Sequence, residues 1–308
     1  MSHDHDAHAH SHHHHAVADY GRAFAIAIAL NLVYVAAEAG YGLAAGSLAL
    51  LADAGHNLGD VLGLGLSWSA AVLARRGPSG RFTYGFRSSS ILAALANALI
   101  LLVVTGGIAW EAIWRLGHPV PVTGGVVAVV AAIGIAVNGA TALLFASGRA
   151  DDLNLRSAFL HMATDALVTA GVVVAGLLIA LTGFLWLDPA MSLVVSAVIV
   201  YGSWDLVKQA LSLALDAVPQ EVDAGAVRAH LLALPGVTAI HDLHIWGMST
   251  TETALTCHLV IPQGHPGDAA LAQIAHELEH RFRINHTTLQ IELGDSAEAC
   301  VLTPENVV

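Results

Sequence analysis

Six long apolar stretches, separated by short polar or Gly/Pro-containing segments, occupy the first two thirds of the chain. Each is long enough to supply the ~20 residues that a helix needs to cross a bilayer. The pattern therefore predicts an α-helical polytopic membrane protein with six transmembrane helices within residues 19–212. The predicted helices cover approximately residues 20–43, 47–73, 88–112, 122–146, 156–182 and 187–209.

The pattern changes at Pro219, after which helical and strand periodicities follow one another. Residues 221–234 and 268–282 carry apolar positions at helical spacing, and Pro235-Gly236 ends the first of these helices. Three stretches are typical of strands, namely 237–247, 252–261 and 287–293. The order αββαβ predicts a small α+β domain, with helices on one face of an open sheet. We assign this domain to 213–295, which leaves a His-rich flexible tail at 1–18 and a C-terminal tail at 296–308.

Composition supports this division and excludes some partners. Of 308 residues, 56% are hydrophobic and only 12% are charged, whereas a soluble domain carries about 25% charged residues. The chain has a formal net charge of −12. The region from Pro219 onward holds eleven Asp/Glu and three Arg. This acidic balance argues against nucleic acid as a partner and is compatible with cations.

The distribution of arginine among the loops predicts the orientation in the membrane. Arginines cluster in the second and fourth connections, whereas the other three connections hold only Arg115. Because positive residues favour the cytoplasmic side, both termini are expected in the cytoplasm. The arginines concerned are Arg75, Arg76, Arg81, Arg87, Arg149 and Arg156.

Two copies of the pattern His-x-x-x-Asp lie inside predicted transmembrane helices: His56/Asp60 and His161/Asp165. Residues four apart share a helix face, so each pair directs a nitrogen and a carboxylate to the same side. An ionisable group near the bilayer centre costs roughly 2.5–3.5 kcal/mol or more. Two such pairs are therefore better explained by a cation than by helix packing. Two imidazoles and two carboxylates form a suitable tetrahedral ligand set for Zn²⁺.

Two further acidic residues lie in the predicted membrane helices. Asp53 is seven residues before Asp60 and close to the same helix face. It could be a further ligand, a proton acceptor, an entrance group or a structural cap. Glu38, in the first predicted helix, could pair with another group or relay protons, or it could be structural.

The C-terminal domain and the N-terminus each carry a second group of possible metal ligands. His241, His244, His258 and Glu292 fall on the three predicted strands, which could bring them together. In a regular strand His241 and His244 point to opposite faces, so they either serve different sites or the strand bends. Eight of residues 3–15 are histidine, and we interpret this tract as a flexible metal collector of low specificity.

Together these residues resemble the cation diffusion facilitator family, in its zinc-transporter branch. The resemblance is carried by Ser47-Leu-Ala-Leu-Leu-Ala-Asp-Ala-Gly-His-Asn-Leu-Gly-Asp60 and by three shorter motifs. The long segment is specific, whereas either four-spaced pair alone would be weak. The shorter motifs are His161-Met-Ala-Thr-Asp165, Phe82-Thr-Tyr-Gly85 and His241-Asp-Leu-His-Ile-Trp246.

The resemblance implies a ferredoxin-like cytoplasmic domain, a homodimer, and export of Zn²⁺ in exchange for H⁺. It implies that His56, Asp60, His161 and Asp165 bind the transported ion. It also implies that His241, His258 and Glu292, with His244 nearby, form a cytoplasmic site, although Gln290 stands where one relative pattern has histidine. The expected location is the bacterial inner (plasma) membrane.

Three alternatives to a proton-coupled transporter remain at this stage. A metal-dependent intramembrane hydrolase would need an open coordination position and a general base. The predicted membrane helices contain no His-Glu-x-x-His motif; the copy at His276 to His280 lies on the predicted helix 268–282 of the C-terminal domain. A membrane metal sensor that does not transport would share the same sites. A passive channel would lack dependence on protons. The ligand types do not decide among Zn²⁺, Cd²⁺, Co²⁺ and Ni²⁺.

Overall fold

The computed structural model describes residues 21–146, 153–294, 300 and 302. Within the helices, the side chains of residues 21–28, 64, 67, 71, 144–146 and 153–161 lie outside this description. The predicted tails at 1–18 and 296–308, including the N-terminal histidine tract, also lie outside it, apart from Cys300 and Leu302.

Six long helices form the first part of the chain, as the apolar stretches predict. They are α1 (Gly21–Ala45), α2 (Leu48–Ala74), α3 (Ser89–Gly117), α4 (Gly124–Ala146), α5 (Leu153–Thr182) and α6 (Leu187–Ala214). Among the described residues, five stretches are long and apolar enough to cross a membrane; they belong to α2 to α6. Helix α1 has 25 residues, and not all of its side chains are described.

Small residues and one buried acid fix how these helices pack. Gly59 of α2 lies against Leu101 of α3, where an added Cβ would come within 2.9 Å of the leucine side chain. The backbones of α4 and α5 touch at Gly176, since a Cβ there would lie 2.7 Å from the amide nitrogen of Ala128. The buried Asp188 of α6 accepts hydrogen bonds from the Ser47 hydroxyl and from two amides in the first turn of α2. This carboxylate therefore caps the start of α2, where the helix dipole favours negative charge.

The C-terminal domain has the predicted αββαβ order. Its elements are α7 (Ala224–Leu232), β1 (Ala239–Gly247), β2 (Thr253–Val260), α8 (Asp268–Phe282) and β3 (Ile284–Glu292). The strands form a sheet in the order β1-β2-β3, antiparallel between β1 and β2 and parallel between β2 and β3. The last strand begins three residues earlier than the periodicity predicts. Both helices pack on one face of the sheet, over a core that includes Leu231, Leu255, Leu259 and Leu278.

A bulge in β1 changes which side chains share the open face of the sheet. The register shifts between His241, which pairs with His258, and His244, which pairs with Thr256. Asp242 has a φ of 50° at this point, a left-handed conformation that Asp adopts more readily than most residues. One extra residue in β1 returns His244 to the face of His241 and His258. Of the two alternatives open from the sequence, the strand bends.

The loop between α2 and α3 contacts the turn between β1 and β2. Arg87 Nη1 lies 2.8 Å from Glu252 Oε2. The Ser88 hydroxyl donates to the Met248 carbonyl, and the Thr250 amide donates to the Ser90 hydroxyl. The membrane helices are therefore joined to the sheet by an ion pair and two hydrogen bonds.

Candidate metal centres

The first candidate centre lies between α2 and α5. His56 Nε2 lies 3.2 Å from Asp165 Oδ1 and 3.9 Å from Asp60 Oδ2. All three residues offer ligand atoms that lie within 4.8 Å of one another. The helical spacing of His56 and Asp60 places both on one face of α2, and the packing of α5 brings Asp165 to that face.

His161 belongs to the same sequence pattern as Asp165. It lies in α5, four residues before Asp165, so both occupy nearly the same face of that helix. The side chain of His161 lies outside the described residues. The structure thus brings together three of the four side chains that the sequence groups in the membrane.

Exposure increases along α2 through this centre. Asp53 is 1% exposed, the side chain of His56 is 20% exposed, and that of Asp60 is 32% exposed. Asp165 is buried. The centre is therefore more buried toward the start of α2, which we call its closed end, and more exposed toward the end that leads to Arg75.

A network of buried polar side chains surrounds the closed end of the centre. Glu38 is fully buried and accepts hydrogen bonds from the Tyr34 hydroxyl, at 2.7 Å, and from the Asn57 amide, at 3.4 Å. Asp53 Oδ2 accepts a hydrogen bond from the Thr169 hydroxyl at 2.9 Å. The two acids that the sequence left open thus belong to one network, next to the candidate centre.

The second candidate centre lies on the open face of the C-terminal sheet. His258 Nδ1 is 2.9 Å from Glu292 Oε1 and 3.2 Å from His241 Nε2. His241 Nε2 is in turn 3.3 Å from Glu292 Oε2. Cys300 joins this group, with Sγ 3.8 Å from His258 Nδ1. The four residues could hold a metal ion through two nitrogens, a carboxylate and a sulfur.

His244 lies on the same face but outside this group of four. Its Nε2 is 2.8 Å from Asp242 Oδ1, and the other oxygen of Asp242 is 3.4 Å from His258 Nε2. Asp242 can therefore accept a hydrogen bond from the ring nitrogen of His258 that faces away from Glu292. A carboxylate in this position fixes the tautomer of a metal-binding histidine.

Electrostatics distinguishes the groups around the second centre. Partial burial by itself raises the pKa of the Glu292 carboxyl group. His241, the Gln290 amide and His258 lower this pKa by a larger amount, so it lies below its ordinary value. Burial raises the pKa of the Cys257 thiol to about 12, so this residue stays protonated and is a poor ligand. Cys300 is half-buried and adjoins the histidines.

Sequence reasoning missed Asp242 and Cys300. Asp242 stands between the two histidines of the motif, but only the bulge turns its carboxylate toward both His244 and His258. Cys300 lies eight residues after the end of β3. The one feature of the sequence that could have pointed to it as a ligand is that cysteine is a soft metal-binding residue.

Comparison with known families covers almost the whole of the described chain. The model of the cation efflux transmembrane domain matches residues 24–213, and that of the cation efflux protein cytoplasmic domain matches residues 219–293. The chain belongs to the cation diffusion facilitator family. The resemblance inferred from the sequence motifs is thereby confirmed, including its zinc-transporter branch.

Individual relatives are similar over most of their length. The metal cation efflux system protein CzcD of Cupriavidus metallidurans is 34% identical over 86% of this chain and 84% of its own. The zinc transporter ZitB of Escherichia coli is 36% identical over 84% of this chain and 83% of its own. The cadmium, cobalt and zinc/H⁺-K⁺ antiporter of Bacillus subtilis is 33% identical over 84% of this chain and 85% of its own.

These matches establish the class of the protein. It is an integral membrane protein of a family of metal cation efflux transporters, and it is not an enzyme. The fold class predicted from the sequence is confirmed, with long apolar helices followed by a small domain of three strands and two helices.

Proposed function

We propose that this protein exports divalent metal ions, chiefly Zn²⁺, from the cytoplasm by exchange with protons. The observation that carries the proposal is the convergence of His56, Asp60 and Asp165 from two membrane helices, with His56 Nε2 3.2 Å from Asp165 Oδ1. Ionisable residues within a membrane mark ion pathways. The names of the relatives, which include zinc, cadmium and cobalt transport, support the substrate class.

The chemistry of the ligands accounts for the coupling to protons. We propose that His161 supplies the fourth ligand and completes a His₂Asp₂ set, which satisfies the tetrahedral preference of Zn²⁺. Zinc binds neutral imidazole and ionised carboxylate, so binding displaces protons from these groups. Protons that arrive from the other side compete for the same atoms and release the metal. The histidines suit this exchange because imidazole titrates near neutral pH.

Transport requires that the centre open alternately to each side. The exposure of Asp60, together with the burial of Asp53, supports a conformation that is open toward the end of α2 near Arg75. The arginine-rich loops support a cytoplasmic location for this end. We assign the described conformation to the state that accepts metal from the cytoplasm. In the opposite state the centre would open toward the start of α2, beyond Asp53.

The same proposal covers location and assembly. We place both termini in the cytoplasm, and the protein in the bacterial inner (plasma) membrane as a homodimer. The match to a cation efflux cytoplasmic domain supports dimerisation through residues 219–293. We keep residues 1–18, 19–212, 213–295 and 296–308 as the proposed boundaries of tail, membrane domain, cytoplasmic domain and C-terminal tail. The histidine tract within 1–18 would collect metal near the cytoplasmic opening.

The cytoplasmic centre would be regulatory. We propose that His241, His258 and Glu292 bind Zn²⁺, with Cys300 as a fourth ligand and His244 nearby. The metal would join β1, β2 and β3 on the face opposite the helices, tighten the dimer and bias the equilibrium between the two membrane conformations. Normal transport after removal of His241 and His258 would contradict this regulatory role.

Zinc uptake into proteoliposomes under an imposed pH gradient tests the transport function. We expect zinc flux that stops when an exchanger of H⁺ for K⁺ collapses the pH gradient. Flux that continues without the gradient would identify a channel. Zinc binding without flux would identify a sensor. Hydrolysis of a peptide bond that requires the intramembrane ligands would identify a hydrolase.

A further inference from the structure

Glu38 and Asp53 form a pair of buried carboxyl groups on adjacent helices. They are 0% and 1% exposed. Asn57, which lies one helical turn after Asp53 on the same face of α2, donates a hydrogen bond to Glu38, so this face of α2 is directed toward Glu38 of α1. Two adjacent carboxylates in a low-dielectric environment repel each other, so one of them holds a proton unless a cation lies nearby. No Lys or Arg approaches this pair among the described side chains. The pair is therefore expected to hold a proton.

The hydrogen bonds around the pair show where that proton belongs. Both oxygens of Glu38 accept hydrogen bonds, from Tyr34 and Asn57, and Asp53 Oδ2 accepts one from Thr169. Asp53 Oδ1 is buried and has no donor among the described residues. Buried oxygens without a donor are rare in folded proteins. A proton on Glu38, donated to Asp53, supplies the missing hydrogen bond.

The pair is close to the intramembrane metal centre but separate from it. Asp53 is three residues before His56, so the two are neighbours on the surface of α2. The hydroxyl of Thr169 links Asp53 to the backbone carbonyl of Asp165. Among the described residues, the ionisable groups that act on the pair are Tyr34 on α1, His56 on α2 and Asp165 on α5. Helix α4 contributes the carbonyl of Val130, which lies 3.4 Å from the Tyr34 hydroxyl.

We infer that the Glu38–Asp53 pair carries a proton of the exchange cycle. A Zn²⁺ ion at the neighbouring centre repels the proton of the pair through its positive charge. The O–H bond of the carboxyl group then breaks, its electrons remain on the carboxylate, and the proton passes to water. When zinc leaves on the other side, the pair recovers a proton. Because Asp53 precedes His56 on α2, a proton entering from the start of α2 reaches the pair first.

This inference rests on the proposed exchange of zinc for protons and adds one proton carrier to the four ligands. Its test counts the protons released when zinc binds to the full-length protein in detergent. The parent would carry His241→Ala and His258→Ala, which remove the centre on the sheet; the histidine tract is the same in the parent and in each variant, so its proton release cancels in their difference. A pH-indicator dye reports proton release, and calorimetry reports zinc affinity in the same samples.

We expect Glu38→Gln to release about one proton fewer per zinc ion than the parent, with zinc affinity changed by less than about threefold. Asp53→Asn should give the same loss, which provides a second variant if one fails to fold. The matched control is Tyr34→Phe, which removes a hydrogen bond to Glu38 but leaves both carboxyl groups, and it should release as many protons as the parent. A merely structural role would lower zinc affinity and leave the proton count unchanged.

A measurement on the unaltered chain needs no variant. The infrared difference spectrum between zinc-bound and zinc-free protein should show the loss of a protonated carboxyl band. Unchanged proton release in both acidic variants, or a difference spectrum without that band, would overturn the inference. Failure of the transport proposal has a different signature, because the native chain, with His241 and His258 in place, would then show no zinc flux driven by a pH gradient.

Discussion

Arg87, in the loop between α2 and α3, forms an ion pair with Glu252, in the turn between β1 and β2, at 2.8 Å. Both side chains are more than a third exposed, so the pair adds only about 0.2–1 kcal/mol to stability. Its importance lies in its position. Strand β1 carries His241 of the cytoplasmic centre, and α2 carries His56 and Asp60 of the membrane centre.

We predict that reversing either charge of this pair slows zinc transport, although it changes the free energy of unfolding by no more than about 1 kcal/mol. Arg87→Glu and Glu252→Arg should each lower the zinc uptake rate about two- to tenfold, because like charges push the loop and the turn apart. The double variant should recover most of the rate. The control is Lys208→Ala, which breaks an ion pair within α6. Additive loss in the double variant would mean that the pair does not link the two centres.

The candidate ligands of the cytoplasmic centre should differ in how much each contributes to zinc affinity. Among the described residues, His258 contacts His241, Glu292 and Cys300, whereas His244 reaches the group through Asp242. In full-length protein with Asp60→Ala and Asp165→Ala, His258→Ala should weaken zinc binding about a hundredfold or more. His244→Ala should weaken it less than about tenfold, in line with the effect of losing an outer partner. Titration calorimetry measures both effects, and His276→Ala on α8 is the control. Equal losses for His244 and His258 would contradict the assignment.

The two cysteines should react differently with thiol reagents. Because the thiolate is the reactive form and burial raises the pKa of Cys257 to about 12, Cys257 should remain unlabelled at pH 7.5. Cys300 is more exposed and should be labelled. Zinc should protect Cys300 if its sulfur is a ligand. Mass spectrometry after brief alkylation measures this, and labelling of Cys300 at the same rate with and without zinc would remove it from the site.

The contribution of Glu292 to zinc affinity should not depend on pH near neutrality. Burial raises the pKa of this carboxyl group, but His241, the Gln290 amide and His258 lower it by more, so its pKa lies below the ordinary value. The carboxylate is therefore ionised near neutral pH and is lost as a ligand only as the pH falls through this lowered pKa. Glu292→Gln should weaken zinc binding by the same factor at each pH between about 6 and 8. Titration calorimetry at several pH values measures this factor, and a factor that shrinks toward pH 6 would contradict the lowered pKa.

Local patterns predicted the membrane centre better than the cytoplasmic one. The spacing of His56 and Asp60 fixes their common helix face, and a second identical pair indicated that two helices meet. In the cytoplasmic domain, the two-residue period of a regular strand separates His241 from His244, whereas the observed bulge reunites their faces. A bulge arises from strand pairing, which a pattern along a single strand does not contain.

Contacts between segments that are distant in the sequence could not be predicted from its patterns either. Cys300 reaches His258 across 42 positions, and the Arg87–Glu252 pair joins two loops of different domains. Arg87 was interpreted only as a positive residue that sets orientation. Its second role depends on the tertiary packing of a turn against a loop, which hydropathy and charge patterns do not determine.

The most direct test of the membrane centre compares zinc uptake by proteoliposomes that contain the native chain with uptake by Asp60→Asn plus Asp165→Asn. These substitutions keep side-chain size and remove two charged ligands, and Asp205→Asn, an exposed acid on α6, is the matched control. We predict that the double variant loses uptake driven by the pH gradient, while Asp205→Asn retains the native rate. Native uptake by the double variant would show that zinc crosses elsewhere and would contradict the account.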